Sequence, residues 1–260
     1  MKNIRIIILS LTVLFAFAIE ASPEALAAFS AEQYINVEND TLLYRLLEPE
    51  KKCPFKKYPL VVFLHGSGER GNDNERQLIW GAGAFINEDS RKNYPCYVIA
   101  PQCPKDKRWL ELHWALETHD MPEEASETMS LVMELIEKSI DEFPINERKI
   151  YVTGLSMGGY GTWDLISRMP NKFAAAAPVC GGADEKQAHK LVDMPIWVFH
   201  GADDSVVPAV RSQNMVRAIK EAGGEKIIYT EYPGVGHGSW KPTYKNPEFL
   251  KWMFSQKKRR

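Results

Sequence analysis

Apolar runs alternate with amphipathic stretches along most of the chain, as expected where strands and helices follow one another. The clearest runs are Leu60–Leu64 (Leu-Val-Val-Phe-Leu) and Ile196–Phe199 (Ile-Trp-Val-Phe). Unbroken apolar runs of this length are typical of parallel strands that are covered on both faces. Their alternation with helices predicts a doubly covered, mostly parallel sheet of eight strands. In such a sheet, ligands bind at the carboxyl ends of the strands.

The boundaries of the elements follow from the same pattern. The predicted strands are 32–36, 42–47, 58–64, 96–100, 149–153, 173–179, 195–200 and 226–232. The first two are separated by Glu38-Asn-Asp40, which predicts an antiparallel hairpin. The predicted helices are 124–142, a run through Trp163 to Met169, 208–222 and 247–255. The notable short motifs all follow one of these strands.

The amino terminus has the pattern of a secretory signal peptide. A positive leader, Met1–Arg5, precedes the apolar run Ile6–Ile19, which is too short to cross a membrane comfortably. Ala16-Phe-Ala18 and Ala25-Leu-Ala27 each offer a cleavage site. The alternative interpretation of this segment is an uncleaved membrane anchor.

We therefore expect residues 1–27 to be a signal peptide, cut somewhere between 18 and 28, and no stable membrane anchor afterwards. About 235 residues then remain, enough for one α/β domain, 28–260, in the periplasm or outside the cell. A formal net charge of −2 argues against a nucleic-acid partner.

The four cysteines match no zinc-binding spacing, so we interpret their thiols as mainly structural. They are Cys53, Cys96, Cys103 and Cys180. Disulfides remain open in an exported chain. Cys96 and Cys103 flank a predicted strand and could pair only across a sharp reversal at Pro101-Gln102.

One strand, Lys149–Thr153, runs into Gly154-Leu-Ser-Met-Gly158, and a helical run follows. A strand followed by G-x-S-x-G and then by a helix predicts a very tight turn. Side chains at the two glycines of this turn would clash. Ser156 would sit at its tip, and the N–H of Met157 would face the oxygen of an attacked carbonyl group. The alternative is an ordinary strand-to-helix turn with a capping serine.

Three further loops carry polar residues at strand ends. After the third strand, the glycine-rich segment His65–Gly71 would let the N–H of Ser67 approach the same oxygen. Asp204 follows the seventh strand, and His237 lies in a glycine-rich loop after the eighth. Ser, Asp, His is one of the known chain orders of a serine triad.

The other five histidines fit the role of base less well. They are His65, His113, His119, His189 and His200. His65 and His200 end strands and are expected to brace their loops, whereas the rest lie in polar loop or helix segments. His237 alone combines a glycine-rich loop with a position after the last strand.

Four motifs together resemble the α/β-hydrolase superfamily. They are Leu64-His-Gly-Ser-Gly68, Gly154-Leu-Ser-Met-Gly-Gly159, His200-Gly-x-x-Asp-x-x-Val-Pro208 and Tyr232-Pro-Gly-x-Gly-His-x-x-Trp240. The likeness covers 32–254 and is closest to the phospholipase/carboxylesterase and feruloyl/acetyl-xylan esterase-like branch, which includes secreted bacterial "predicted peptidase" esterases.

The resemblance implies hydrolysis of carboxylic esters through an acyl-enzyme. Ser156 would be the nucleophile, His237 the base and Asp204 the orienting acid, with the N–H groups of Ser67 and Met157 as oxyanion donors. It implies no metal and no organic cofactor. The substrate would be a small-molecule or polysaccharide-borne ester, with acetyl or feruloyl groups on carbohydrate favoured.

Two other functions remain open. The same triad could serve a lysophospholipase, a general carboxylesterase or a prolyl-oligopeptidase-like serine peptidase. A protein of this fold could also be a carbohydrate-binding or scaffolding protein that performs no reaction.

The sequence predicts an open site. Only 180–194 separate the sixth strand from the seventh, too few for a helical lid, so no large cap domain is expected. The long connection after the fourth strand carries Trp109 and Trp114, and Trp240 lies close behind His237. We expect these tryptophans to offer flat apolar faces to a sugar ring or a cinnamoyl group. The alternative is that they pack in the core.

Overall fold

The computed structural model describes residues 20–112 and 116–258. Within these residues, eight strands form one sheet in the order β1-β2-β4-β3-β5-β6-β7-β8. They are β1 Ser30–Ile35, β2 Thr41–Leu47, β3 Tyr58–Leu64, β4 Tyr97–Pro101, β5 Ile145–Leu155, β6 Ala175–Val179, β7 Ile196–Gly201 and β8 Ile227–Tyr232. Pairing is antiparallel from β1 to β2 and from β2 to β4, and parallel elsewhere. The predicted mostly parallel sheet is confirmed.

Helices cover both faces of the sheet. They are α1 Pro23–Ala28, α2 Gly83–Ile86, α3 Glu88–Asn93, α4 Glu127–Glu142, α5 Met157–Arg168, α6 Val210–Glu221, α7 Trp240–Lys245 and α8 Pro247–Ser255. The apolar sides of α4, α5 and α6 share one buried cluster, while α1, α2 and α8 contribute to a second. Among the described residues no cap domain is inserted between β6 and β7. This is the α/β-hydrolase fold.

Strand β3 shows why its sequence is apolar at every position. Leu60, Val62 and Leu64 join one buried cluster, while Val61 and Phe63 join the other. Successive side chains of a strand point to opposite faces, so a central strand between two helical layers needs apolar residues throughout. Each such side chain contributes about 1.5–3 kcal/mol through burial.

Helix α1, Pro23–Ala28, lies almost wholly within the segment 1–27 that the sequence assigns to the signal peptide. Ser22 caps it by accepting a hydrogen bond from the Ala25 N–H at 3.2 Å. Ala25 and Phe29 are 2% and 1% exposed, and the Arg45 guanidinium donates to the Phe29 carbonyl at 2.9 Å. The apolar run 6–19 lies outside the described residues. No helix of the described part is long and apolar enough to cross a bilayer.

All four thiols are free in the structure. Cys53 is exposed, whereas Cys96, Cys103 and Cys180 are buried. Burial raises the pKa of each of these three thiols to about 12. They are therefore protonated at neutral pH and poor nucleophiles.

Candidate active site

The turn between β5 and α5 holds Ser156 in an unusual backbone conformation. Its φ of 55° and ψ of −116° lie where a side chain is disfavoured, as at many functional sites. A Cβ atom on Gly158 would lie 2.0 Å from the Leu64 carbonyl oxygen, and one on Gly154 would lie 2.4 Å from the Gly158 oxygen. Only glycine fits at these two positions, so the sequence motif and the tight turn require each other.

The carboxyl ends of β5, β7 and β8 bring three predicted side chains into one hydrogen-bonded line. The Ser156 Oγ lies 2.8 Å from His237 Nε2, and His237 Nδ1 lies 2.7 Å from Asp204 Oδ2. The Asp204 carboxylate accepts a hydrogen bond from the Nδ1–H of His237. The Nε2 atom of His237 therefore carries no proton and is free to take the proton of the serine. The imidazole retains 20% of its exposure, which leaves it open to a substrate.

Asp204 is fixed by donors on both carboxylate oxygens. Its Oδ1 accepts the backbone N–H groups of Val206 and Val207, each at 2.9 Å. Burial works against ionisation, but the hydrogen bonds from His200, His237 and Val207 outweigh it and hold the pKa of Asp204 well below its usual range. Asp204 is therefore a carboxylate at any pH near neutrality. Its neighbour Asp203 is exposed.

The two backbone N–H groups predicted as oxyanion donors belong to Met157 and Ser67. Met157 is the first residue of α5, so its N–H has no acceptor within the helix. Ser67 begins a short 3-10 turn directly after β3, and β3 pairs with β5 through Leu64 and Gly154. This pairing places the two loops side by side. The assignment of both groups as oxyanion donors remains a prediction.

The expectation for Trp109 is wrong. Its side chain is fully buried in the core rather than exposed at the mouth of the site. The indole N–H donates to the His65 carbonyl at 3.0 Å, and the two rings meet edge to face. Burying this large ring stabilises the fold more than exposing it would, and the carbonyl satisfies its one polar atom. Trp114 lies outside the described residues.

Trp240 lies beside the candidate base, as expected. Its ring centre is 5.3 Å from that of His237, and the two rings are nearly perpendicular. The ring centres of Trp80 and Trp240 are 6.2 Å apart, and the Lys241 ammonium is 5.2 Å from the Trp80 ring centre. We call Trp80 and Trp240 the tryptophan pair. Both are half-buried.

Trp80 was not among the predicted site residues, and its place at the site depends on a turn at the next residue. The next residue, Gly81, has a φ of +82°, and a Cβ there would lie 2.5 Å from the Phe63 ring. At this position glycine is required both by the positive φ and by the closeness of Phe63. The turn fixes Trp80 in place at the edge of the site.

His65 and His200 are both buried at strand ends. His65 Nε2 accepts the Cys103 N–H at 2.9 Å, and Nδ1 lies 2.6 Å from the Gly66 carbonyl, so Nδ1 carries the proton. Burial lowers the pKa of His65 to about 4. His65 thus braces the loop that carries Ser67, as the sequence predicts.

One group of potential metal ligands coincides with this site. Atoms of Cys180, Asp204 and His237 lie within 4.8 Å of one another. The thiol is protonated because burial raises its pKa to about 12, and Asp204 and His237 already bond each other. Because the carboxylate and the imidazole bond each other and the imidazole also reaches Ser156, this arrangement suits proton transfer.

Comparison with known proteins agrees with the fold and the motifs. The profile of a family described as Phospholipase/Carboxylesterase matches residues 51–246. The crystal structure of a thermostable esterase is similar, with 42% identity, a TM-score of 0.84, and coverage of 90% of this chain and 64% of that one. A ferulic acid esterase structure has 16% identity and a TM-score of 0.63 over 87% of this chain and 98% of that one, a likeness of fold alone.

Two curated relatives extend the comparison. A bifunctional acetylxylan esterase/xylanase of Neocallimastix patriciarum is 36% identical over 154 residues, 57% of this chain and 20% of that protein. A poly(3-hydroxyoctanoate) depolymerase of Pseudomonas fluorescens is 26% identical over 200 residues, 71% of this chain and 69% of that protein. The chain thus spans about a fifth of the first relative.

Proposed function

The chain belongs to the phospholipase/carboxylesterase family, and from this premise we propose that it hydrolyses carboxylic esters with Ser156 as nucleophile. The observation that carries the proposal is the line of hydrogen bonds from Ser156 through His237 to Asp204. A serine hydroxyl is a weak nucleophile until a neutral imidazole accepts its proton. The turn, the base and the acid together supply that condition.

In the proposed reaction, Ser156 Oγ attacks the ester carbonyl carbon while its proton passes to His237 Nε2. The carbonyl oxygen becomes an oxyanion and takes hydrogen bonds from the Met157 and Ser67 N–H groups. The carbon–oxygen bond to the alcohol then breaks, and His237 returns the proton to the leaving oxygen. Water, activated by the same imidazole, attacks the acyl-enzyme and restores Ser156.

We propose that the ester alcohol is a sugar and that the acyl group is acetyl or feruloyl. The tryptophan pair supports this because it lies next to His237, which must protonate the alcohol oxygen as it leaves. Indole faces pack well against the apolar faces of pyranose rings. The absence of a cap between β6 and β7 in the described residues leaves room for a bulky alcohol.

A panel of substrates tests the specificity. We expect kcat/KM to be highest on acetylated or feruloylated xylo-oligosaccharides, ahead of lysophospholipids, prolyl peptides and oligomeric 3-hydroxyalkanoates. Trp80→Ala and Trp240→Ala should lower kcat/KM on sugar esters about tenfold and leave 4-nitrophenyl acetate nearly unchanged. Trp252→Ala is the control, because this half-buried tryptophan of α8 packs on Trp197 in the second cluster. A tenfold preference for lipids, peptides or polyesters would overturn the carbohydrate assignment.

We further propose that the protein is exported and that its leader is cut on the Ala18 side of the candidate range. Cleavage after Ala27 would remove most of α1 and uncover the surface that Ala25 buries. Cleavage before Ser22 would keep both the helix and its cap. Amino-terminal sequencing of the protein released by an expressing bacterium tests this, and a mature chain that begins at Ala28 would contradict it.

A further inference from the structure

A second buried histidine reaches the candidate acid from the side opposite His237. His200 is the last residue but one of β7, and no part of it is exposed. Its Nε2 atom lies 3.3 Å from Asp204 Oδ2, the same oxygen that faces His237. The proposed reaction gives His200 no role, so its position needs an explanation.

The protonation of His200 Nε2 follows from its neighbours. Besides Asp204 Oδ2, the Val207 carbonyl oxygen lies 3.0 Å from this nitrogen. Both neighbours are acceptors, and an unprotonated nitrogen between them would leave a buried lone pair facing two oxygens. Nε2 therefore carries a proton and donates it to these oxygens.

The other side of the ring is also fixed. His200 Nδ1 lies 2.7 Å from Ser212 Oγ, and that hydroxyl lies 3.0 Å from the Gly181 carbonyl oxygen. Ser212 belongs to α6 and is fully buried. The imidazole is thus held between a helix and the loop of the candidate acid, with little freedom to turn.

We propose that His200 is a positioning residue, which holds the Asp204 carboxylate in the orientation that His237 requires. The inference rests on the proposed function. With His200 in place, Asp204 Oδ1 takes two backbone N–H groups and Oδ2 takes two imidazole N–H groups. The carboxylate can then neither rotate nor move away from His237, so the base keeps the tautomer and direction that Ser156 needs.

The side-chain amides of glutamine and asparagine separate this role from simple packing. In His200→Gln the amide nitrogen can stand near the former Nε2 position and donate to Asp204. In His200→Asn the shorter amide stands near the former Nδ1 position and leaves Asp204 Oδ2 without its second donor. We expect His200→Gln to keep kcat within about fivefold, and His200→Asn to lower kcat about 10- to 100-fold with KM nearly unchanged.

The turnover of each variant is divided by the concentration of active sites, titrated with a fluorophosphonate, so that misfolded protein does not count. The exposed His189→Asn is the matched control and should show wild-type kcat. Equal kcat values for the Gln and Asn variants, whether both high or both low, would overturn the positioning role. Failure of the proposed function is a separate result, because it would show as absent ester turnover in the wild-type protein.

A measurement on the wild-type protein keeps the inference testable if both variants fail to fold. Long-range nitrogen–proton NMR spectra of the imidazoles report which ring nitrogen of each histidine carries hydrogen. We expect His200 Nε2 to be protonated between pH 7 and 8. An unprotonated His200 Nε2 in that range would overturn the inference.

Discussion

The turn at Ser156 and the connection from Gln102 to Ser126 both follow strands at the same edge of the sheet, but their shapes have different origins. The turn is marked by its own short motif, because a side chain on Gly154 would meet Gly158 within the turn and one on Gly158 would meet Leu64 of the adjacent strand. The connection is held by partners far away in sequence. A conformation set locally can be recognised in a sequence, whereas one set by distant contacts cannot.

Contacts with residues far away in sequence hold the described part of this connection. The Trp109 indole donates to the His65 carbonyl at 3.0 Å, and the Met121 N–H donates to Asp184 at 3.0 Å. The buried Arg211 guanidinium donates to the Glu117 carbonyl at 2.6 Å. No motif within the connection encodes these partners. His65 joins the two regions, because it follows β3 at the candidate site and also accepts the Cys103 N–H.

The largest expected effect concerns the loop after β7, where Asp204 accepts two N–H groups of its own loop. Asp204→Asn should lower kcat about 10⁴-fold with little change in KM, because an amide favours the wrong tautomer of His237. Asp203→Asn should leave kcat within about twofold, because Asp203 is exposed and its backbone N–H, which the change keeps, donates to the Val235 carbonyl.

The two aspartate variants are compared by steady-state kinetics on one soluble ester. Because the residues are adjacent, each variant controls for the other in charge and in position along the chain. A larger loss in Asp203→Asn would show that the loop presents the other carboxylate, and that the local motif does not fix its geometry.

A smaller effect, on the free energy of unfolding, should distinguish Trp109 from Trp240, which the sequence analysis placed at the same site. Trp109→Ala should lower the free energy of unfolding by about 3–5 kcal/mol, because it empties a core site and leaves the His65 carbonyl without its donor. Trp240→Ala should cost less than half as much, because the ring is only half-buried.

Urea denaturation measures both changes, and initial rates on a sugar ester show whether binding is altered. Trp109→Ala that folds at low temperature should keep the substrate preference of the wild-type protein. If Trp109→Ala changed the substrate preference and Trp240→Ala did not, Trp109 rather than Trp240 would contact the substrate, and the assignment would be wrong.

The smallest expected effect is a dependence of the free energy of unfolding on pH, caused by His65, the histidine that joins the two regions. Burial holds the pKa of His65 at about 4 in the folded state, against about 6.5 when unfolded. Between these values the unfolded chain binds the extra proton, so stability is complete above about pH 6.5 and falls as pH drops towards 4. The loss reaches about 3 kcal/mol, to which the partly buried His119 adds, since its pKa is also lowered to about 4.

Urea midpoints at pH 7, 5.5 and 4.5 measure this dependence. His65→Asn should be less stable at pH 7 but show a shallower decline, because it lacks the proton that the unfolded chain takes up. An equally steep decline in the variant would mean that other groups cause the loss.

The features that the sequence predicted follow either from a local pattern or from the general geometry of a parallel sheet. The bounds of β3 agree at both ends because its apolar run needs two covered faces, and α8 agrees because Asn246 and Pro247 begin it. The meeting of Ser156, Asp204 and His237 was also predicted, since parallel strands end at one edge. The burial of Trp109 and the packing of α1 depend on distant partners, and no local pattern reports them.

The central claim is that Ser156 is the nucleophile of an ester hydrolase. Its most direct test is to label the protein with a fluorophosphonate and map the modified residue by peptide mass spectrometry, alongside Ser156→Ala. We expect the wild-type protein to carry one label per chain, on Ser156. Ser156→Ala should take no label and lose at least 10⁴-fold in kcat. A label on Ser67, or ester turnover by Ser156→Ala above a few per cent of wild type, would contradict the account.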